Sequence, residues 1–195
     1  MGRTPTIDTQ TILDAAREVF LEEGVTGTTA EIARRAGVSE GSIFRRFPNK
    51  EELFFESMDL PTPSFFSNLD SRIGQSTVAE QLDGFMHDAL DHFAKAIPCI
   101  MMVMASGAGH KLTASPHSPP VIAIRTVANY LAAEVALGRL RPHDPEIAAR
   151  MLLGSAWHFM FAEISGINTI SPMPRHTFVR GVVDNVIRGL SPLDE

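Results

Sequence analysis

Two helix-start signals on either side of a glycine constrain the fold of residues 28–50 more than any other feature of the chain. Thr28 and Glu31 have the spacing of a capping box, in which hydroxyl and carboxylate satisfy free amides at a helix start. Gly37 predicts the end of this helix because glycine readily adopts the left-handed conformation. Ser39 is a preferred cap residue, so a second helix is expected directly after the turn.

The apolar residues of this segment predict which side of each helix is buried. Ile32, Ala33 and Ala36 recur at helical spacing in the first helix. In the second helix Ile43 and Phe47 lie four positions apart and are expected to point inward. The outward-facing side chains are then Glu40, Gly41, Ser42, Phe44, Arg45 and Arg46. A short exposed helix after a tight turn is typical of a helix-turn-helix, which places its second helix in a DNA groove.

One further helix is predicted on each side of this motif. Upstream, apolar residues at three- and four-residue spacing precede the stop signal Gly24 and form one helical face: Ile12, Leu13, Ala16, Val19 and Phe20. Downstream, Asn49 and Glu52 repeat the capping signature, so another helix is expected from Lys50.

Many positions across residues 11–54 agree at once with a single known pattern. They are Ile12-Leu13-Asp14-Ala15-Ala16, Phe20, Gly24, Thr28-Thr29, Ile32-Ala33, Ala36-Gly37-Val38-Ser39, Gly41, Phe47, Lys50 and Leu53. With these residues the segment resembles the DNA-binding domain of the tetracycline-repressor (TetR) family of bacterial transcription regulators. The resemblance implies an all-α chain with an N-terminal three-helix helix-turn-helix DNA-binding domain at 1–54. It also implies a larger helical effector-binding and dimerisation domain at 55–195.

The resemblance also assigns roles to individual residues. It implies that Thr29, Arg45, Arg46 and Lys50 hold backbone phosphates, and that Ser39, Glu40 and Ser42 lie nearest the base edges. Phosphate contacts position a protein on DNA, and base contacts specify the sequence. Together with two outward-facing neighbours these residues make up the predicted DNA-facing set: Thr29, Ser39, Glu40, Gly41, Ser42, Phe44, Arg45, Arg46 and Lys50.

At two positions of this set the chain departs from the family. Phe44 stands where a tyrosine usually offers its hydroxyl to a phosphate, so it is left to pack against sugar or thymine methyl groups. Glu40 places a carboxylate near DNA, where it would accept a hydrogen bond from a cytosine amino group. The alternative for Glu40 is a first-turn charge that the helix dipole favours.

Charge is distributed unevenly along the chain. The protein carries a net charge of −6, and residues 1–60 contain seven basic side chains against eleven acidic ones, which is unlike a general nucleic-acid binder. Between residues 32 and 50, five basic side chains face only Glu40, which leaves +4. A local positive field of this kind suits a docked recognition helix. The alternative is a solvated surface with a chance arginine cluster.

Length and composition favour a two-domain cytoplasmic protein. The chain has 195 residues and 44% hydrophobic content, enough for a substantial core. No secretory signal is evident, and the longest apolar stretch, residues 96–108, is too short to cross a bilayer, so no membrane contact is expected. The single cysteine, Cys99, excludes an intramolecular disulfide and is expected to be a small buried residue.

After a linker at residues 60–67, the hydrophobic pattern is helical throughout. The predicted elements are a helix at 82–93 ending before Pro98, a second from Ile97 to Ala108, a loop at 111–120, a helix at 121–137, a helix from Pro145 whose apolar face includes Leu153, Trp157 and Phe161, and a last helix at 175–188. In that last helix Val179, Val182, Val183 and Val186 form the apolar side.

Large, adaptable side chains in this region predict a site for a small apolar or amphipathic effector, in keeping with the resemblance. The predicted effector-binding set is Phe85, Phe93, Met101, Met104, Trp157, Phe161 and, as a polar handle, His158. The alternative is that these residues form ordinary helical core. Dimerisation through the last two long helices comes from the resemblance, with Val179, Val183, Val186 and Leu190 as the expected seam beside part of 145–165.

The remaining chemistry-bearing residues do not predict an enzyme, a metal or a cofactor. Four possible metal ligands cluster within two helical turns: His87, Asp88, Asp91 and His92. The pair His87 and Asp91 and the pair Asp88 and His92 each share a helix face, but the two faces point in different directions. A solvated surface is therefore expected instead of a metal site. Nucleophile elbows, His-Glu-x-x-His and phosphate-binding glycine loops are all missing from the sequence.

Two functional hypotheses of different class follow from the sequence. The first is a ligand-responsive repressor that binds a pseudo-palindromic double-stranded operator as a homodimer and is released by its effector. The second is a DNA-bound adaptor or architectural protein whose C-terminal domain binds a protein partner and no small molecule.

Overall fold

A computed structural model of the protein describes residues 8–61, 63–112 and 118–190, without the side chains of residues 67, 111 and 190. The all-α fold is confirmed, and the described residues contain no strand. Their helices are α1 Thr9–Glu23, α2 Thr29–Ala36, α3 Glu40–Phe44, α4 Lys50–Met58, α5 Ser64–Ser67, α6 Val78–Ala105, α7 Pro119–Ala136, α8 Pro145–Ile164, α9 Ile167–Ile170 and α10 Arg175–Leu190. Among them, no helix combines the length and apolar character needed to cross a bilayer.

The chain packs as two compact units, and helix α6 contributes to both. The first unit contains the described residues of 8–61 together with 98–112, and the second contains those of 63–97 and 118–190. This division differs from the boundary predicted between residues 54 and 55, because packing also assigns the end of α6 to the first unit. The functional division at that boundary stays a prediction.

The first unit is organised around the apolar face of α1, as the sequence predicts. Leu13 on this face is half-buried. The buried side chains of the unit are Ile12, Ala15, Ala16, Val19, Phe20, Ile32, Ala33, Ile43, Phe47, Leu53, Phe54, Met58, Cys99 and Val103. The rings of Phe20 and Phe54 meet edge to face with centroids 5.2 Å apart. Cys99 is buried, as expected, and burial raises the pKa of its thiol.

The prediction that Pro98 separates two helices is wrong, because α6 continues through it from Val78 to Ala105. A proline inside a helix removes one hydrogen bond and costs about 3 kcal/mol. Ile97 on one side of the proline and Val103 on the other are both buried, and each such burial contributes about 1.5–3 kcal/mol. The apolar residues that flank the proline therefore offset its cost within the helix.

In the second unit, other helices pack against one side of α8. That side differs from the predicted one: Leu153 is buried, but Trp157 is half-buried and Phe161 is exposed. The buried side chains of α8 are Ala148, Ala149, Leu152, Leu153, Ala156, Phe159, Met160 and Ala162. Because α8 is apolar on nearly all sides, periodicity alone did not identify which side packs inward.

The other predicted elements agree with the structure to within a few residues. The predicted loop at 111–120 is shorter where it is described, because Gly109–Leu112 form a 3-10 turn and Pro119 opens α7 at a proline-tolerant position. Residues 113–117 of that loop lie outside the described residues. The linker at 60–67 contains a single helical turn, α5.

The prediction that the apolar side of α10 forms part of the dimer seam does not agree with the packing of the single chain. Val179, Val183 and Val186 are buried within the second unit itself, where they pack in the same core as α8. Leu190, the fourth residue of that set, has a side chain outside the described part. The apolar side of α10 is therefore already covered by its own chain.

Candidate nucleic-acid interface

The helix starts that position the interface form as predicted. The Thr28 and Ser39 hydroxyls accept from the backbone N–H groups three residues later at 3.2 Å, and the Asn49 side chain accepts from that of Glu52 at 2.8 Å. Gly37 adopts φ 67°, in the left-handed region. These local bonds fix where α2 ends and α3 begins, which sets the exposed side of α3.

Glu31 does not complete the predicted capping box. Its carboxylate instead accepts from Arg34 at 2.7 and 2.8 Å and from Arg35 at 2.8 Å. Guanidinium groups make stronger, charge-assisted hydrogen bonds than a backbone amide does, so the two arginines outcompete the cap. These bonds lower the pKa of Glu31 to about 2.

Arg35 joins this pair to α1 through a second carboxylate. Its Nη2 lies 2.6 Å from Glu22 Oε2, and Glu18 is 3.9 Å away. The interpretation of residues 32–50 as a +4 surface for DNA is therefore corrected, because Arg34 and Arg35 are neutralised by carboxylates outside or at the edge of that range. The positive charge around α3 comes from Arg45, Arg46 and Lys50.

The surface of α3 has the predicted division between buried and exposed residues. Ile43 and Phe47 are buried, while the side chain of Phe44 is 47% exposed. The other members of the DNA-facing set are exposed or half-buried. Ile43 and Phe47 thus anchor this segment to the core, and the opposite side of the short helix remains accessible.

In the free protein, several donors of the DNA-facing set make hydrogen bonds to acceptors of other residues in the same set. Arg45 donates to the Gly41 carbonyl at 3.1 Å and to the Ser42 hydroxyl at 3.2 Å, and Arg46 donates to the Ser42 carbonyl at 3.2 Å. The Thr29 hydroxyl donates to Glu40 at 2.6 Å, which links α2 to α3. Bonds to a ligand at this surface would replace these internal ones.

Lys50 opens α4 beside the aromatic core of the first unit. Its Nζ lies 5.9 Å from the centroid of the Phe20 ring, within the range of a cation–π contact. The side chain is half-buried, so its apolar stem packs while the ammonium remains near the surface.

The predicted effector-binding set is divided between the two compact units. Phe93 and Trp157 contact each other at 5.6 Å, but Phe85 is fully buried against Phe65 and Phe66. Met101 and Met104 belong to the first unit and are exposed, as are His158 and Phe161 in the second.

The acidic and histidine cluster of α6 is divided among separate partners. Asp88 lies 3.3 Å from Arg72, Asp91 lies 3.1 Å from Arg175, and His87 lies 3.7 Å from Asp83. His92 packs against phenylalanine rings, and burial lowers its pKa. Within the described ranges no group of three or more such side chains could hold a metal ion.

A buried polar group at the end of α7 was missed from the sequence. Glu134 is fully buried, accepts from the Gly74 amide at 3.0 Å and pairs with Arg139 at 3.2 Å. Burial raises the pKa of the neighbouring Tyr130. Glu134 stands three and seven positions after Leu131 and Val127, so its place on an otherwise apolar stripe was the signal.

Comparison with known families agrees with this architecture along most of the chain. Residues 12–56 match the family model "Bacterial regulatory proteins, tetR family", and residues 100–188 match "AefR-like transcriptional repressor, C-terminal domain". The HTH-type transcriptional regulator AcrR of Shigella flexneri is 44% identical over 52 residues, which are 26% of this chain and 24% of that protein. Matches to the curated relatives span 24% to 41% of those relatives' lengths.

Solved structures share the fold over nearly the whole chain. A TetR-family transcriptional regulator from Mesorhizobium loti superposes with a TM-score of 0.74 at 19% identity, covering 94% of this chain and 96% of that one. SmeT, the repressor of the Stenotrophomonas maltophilia multidrug efflux pump SmeDEF, gives 0.67 at 23% identity, with coverage of 96% and 92%. Motif, fold and family matches together define a helix-turn-helix transcription regulator. The chain belongs to the TetR family.

Proposed function

We propose that the protein binds a pseudo-palindromic operator as a homodimer, acts as a repressor, and is released by a small apolar or amphipathic effector. The observation that carries the DNA-binding part is α3 itself. Ile43 in this helix and Phe47 just after it are buried, whereas Phe44 and the following Arg45 are exposed and Ser42 is half-buried beside them. That arrangement supports a recognition helix lying in a major groove.

Dimerisation is supported by the outer side of α8. Its exposed positions recur every three or four residues: Ile147, Met151, Gly154, His158 and Phe161. A helix that is apolar on both sides is usually buried on both, and a 3.5-residue repeat suits packing against a second helix. We therefore place the seam on α8 instead of on the valines of α10.

A two-fold dimer also suits the size of the reading surface. One α3 reaches only a few base pairs, whereas two related copies read both halves of a palindrome. Operator affinity would then fall if an effector favours a dimer whose two recognition helices are wrongly spaced, by the effector's differential affinity for the two states.

An effector is proposed partly from the relatives. SmeT represses a multidrug efflux pump, and that repressor has also been solved with triclosan. In this chain the half-buried pair Phe93 and Trp157 is the part of the predicted effector-binding set that both makes contact and remains accessible. An apolar ligand entering between α6 and α8 would meet these rings first.

The adaptor hypothesis has one observation in its favour. The second unit has a large packed core in which Phe85, Met86 and Leu90 are fully buried, as expected of a domain that binds no small molecule. Thermal melting in the presence of a panel of apolar compounds separates the two: a shift in melting temperature with loss of operator binding supports the repressor. If no compound changes the melting temperature or operator binding, the adaptor hypothesis is favoured.

Selection of bound sequences from a library of random duplexes tests the proposed function. We expect a two-fold symmetric motif from the wild type and an altered motif from Ser42→Ala, because Ser42 is proposed to lie near base edges. Ser155→Ala is a matched control, since Ser155 lies on α8 and its hydroxyl donates to the Leu152 carbonyl at 2.8 Å. Absence of any enriched sequence would contradict the proposal.

A further inference from the structure

The first unit contains a cavity of about 340 Å³ that lies beside the proposed DNA-binding surface. It is open to solvent on one side and is bordered by the end of α1, the start of α4 and the turn after α6. Its lining residues are Phe20, Val25, Lys50, Glu51, Phe54, Phe55, Ser106 and Ala108. All of them belong to the first unit, so the cavity is a feature of that unit alone.

The walls of this cavity are largely aromatic and fixed. Phe54 meets both Phe20 and Phe55 edge to face, with centroids 5.2 and 5.1 Å apart. The Ser106 hydroxyl is already donated to the Val103 carbonyl at 2.8 Å. The cavity therefore has a mainly apolar lining with few polar groups, which is typical of small-molecule sites.

Two charged side chains stand at the edge of the cavity. The Lys50 ammonium lies 5.9 Å from the Phe20 ring centroid, and Glu51 contributes a carboxylate from the same turn of α4. Glu51 is exposed and so screened by water, whereas Lys50 is half-buried over the aromatic wall. An occupant whose apolar part fills the cavity would bring its polar end nearest to Lys50.

We propose that this cavity binds a small amphipathic anion, with its apolar part against Val25 and Phe55 and its anionic group on Lys50. Lys50 is also a proposed phosphate ligand, so the bound anion competes directly with DNA for the same ammonium. This competition rests on the proposed function, whereas the binding site does not. It would act within the DNA-binding unit and needs no effector in the second unit.

The size of the cavity restricts the occupant to a short chain or a single ring. A volume of 340 Å³ is at the lower end of the range for ligand pockets. Octanoate is a suitable probe because it combines a seven-carbon alkyl chain with a carboxylate. Each buried CH₂ strengthens binding about fourfold, so hexanoate, with two fewer, should bind about 15-fold more weakly.

Ligand-observed NMR titration of the full chain without DNA tests the site. We expect octylammonium to bind at least tenfold more weakly than octanoate, Lys50→Gln to remove that difference, and Glu51→Gln to strengthen octanoate binding. Val25→Trp fills the cavity from its rim and should weaken octanoate binding at least tenfold. Leu21→Trp is the matched control, because Leu21 is also exposed in this unit but does not line the cavity.

Equal binding of octanoate and octylammonium, or unchanged octanoate binding in a folded Val25→Trp variant, would overturn the site. Circular dichroism melting establishes that both tryptophan variants fold, and Ala108→Phe provides a second cavity-filling change. Octanoate bound at another place in the chain would be unaffected by either change, which also counts against the proposal.

The competition is tested on a duplex selected by the wild type. Saturating octanoate should weaken DNA binding at least tenfold in the wild type and in Leu21→Trp, and leave it unchanged in Val25→Trp. Site-dependent octanoate binding without any effect on DNA affinity would overturn the competition. A wild type that selects no duplex would contradict the proposed function, and the NMR titrations would still decide the site.

Discussion

Arginines of the first unit differ in what they bind, although the sequence presents them as one basic cluster. Arg34 and Arg35 bond to carboxylates on α1 and α2, whereas Arg45 bonds only to neutral groups of its own helix. An arginine held by carboxylates loses most of its attraction for phosphate. The partners Glu18 and Glu22 lie more than ten positions away in sequence, so only the folded structure identifies them.

Arg45→Ala should weaken binding to operator and random DNA alike, because the change removes a phosphate contact and the counterion released with it. A dimer loses two such contacts, so the slope of log affinity against log salt should shrink by about 1.8. Arg34→Ala is the control and should leave the slope unchanged, because Arg34 is paired with Glu31. Equal slopes in both variants would show that Arg45 does not reach the backbone.

Phe44→Tyr should strengthen binding on every DNA sequence. The Phe44 ring is exposed, so a new hydroxyl stays in water in the free protein and reaches a phosphate in the complex. Hydrogen bonds to charged groups contribute about 1.5–3 kcal/mol, so a several-fold gain survives partial losses.

Fluorescence anisotropy titrations on operator and random duplexes measure that gain, and a melting curve should show unchanged stability. Phe161→Tyr adds a hydroxyl to an exposed ring of the second unit and serves as the control. Unchanged affinity in Phe44→Tyr would contradict the placement of this ring along the DNA backbone.

At the scale of helices, local signals predicted boundaries well and predicted helix packing less well. The starts of α2, α3, α4 and α8 depend on side-chain caps within three residues, so the sequence contains both partners of each bond. The continuity of α6 through Pro98 depends on burial on both sides of the proline. That burial involves distant parts of the chain, so the local sequence pattern around Pro98 did not predict it.

The ion-pair network of α1 and α2 makes the first unit sensitive to acid. The folded-state pKa of Glu31 is about 2, below its usual value of 4.5, so this carboxylate stabilises the fold above pH 4.5. That contribution is lost as the pH falls from 4.5 toward 2. Glu22 has a lowered pKa through its bond to Arg35 and acts in the same direction.

Glu31→Gln should therefore flatten the acid limb of the stability curve between pH 4.5 and 2. Urea unfolding followed by circular dichroism at successive pH values measures this, since Trp157, the only tryptophan, lies in the second unit. Glu56→Gln, on the exposed side of α4, is the matched control. An acid limb of equal steepness in wild type and Glu31→Gln would contradict the assigned role of the network.

For the whole molecule, the sequence predicted two functional regions, whereas the proposed dimer seam on α8 depends on burial that only the structure provides. The valines of α10 and the outer residues of α8 have similar apolar periodicity, and only burial distinguishes them. The effector-binding set stays a prediction for a related reason, because large apolar residues mark both cores and pockets. The DNA-facing set also stays a prediction, and it is supported by exposed polar residues between buried anchors, which have few structural uses.

Met151→Glu should shift the protein toward monomer, because it places a charge at the centre of the proposed seam. Met151 is 60% exposed in the single chain, so the change costs little stability within the subunit. Sedimentation velocity at micromolar concentration measures the shift. Leu137→Glu, at 55% exposure near the end of α7, is the control and should remain dimeric. Wild-type monomers, or dimers of Met151→Glu, would exclude this seam.

Two copies of α3 are proposed to read one duplex, and hydroxyl-radical footprinting on a selected duplex measures whether they do. We predict two protected patches per strand, related by two-fold symmetry and separated by about one helical turn. Arg45→Ala should weaken both patches equally, and Arg34→Ala should weaken neither. A single protected patch, or a footprint that Arg45→Ala leaves intact, would contradict the claim.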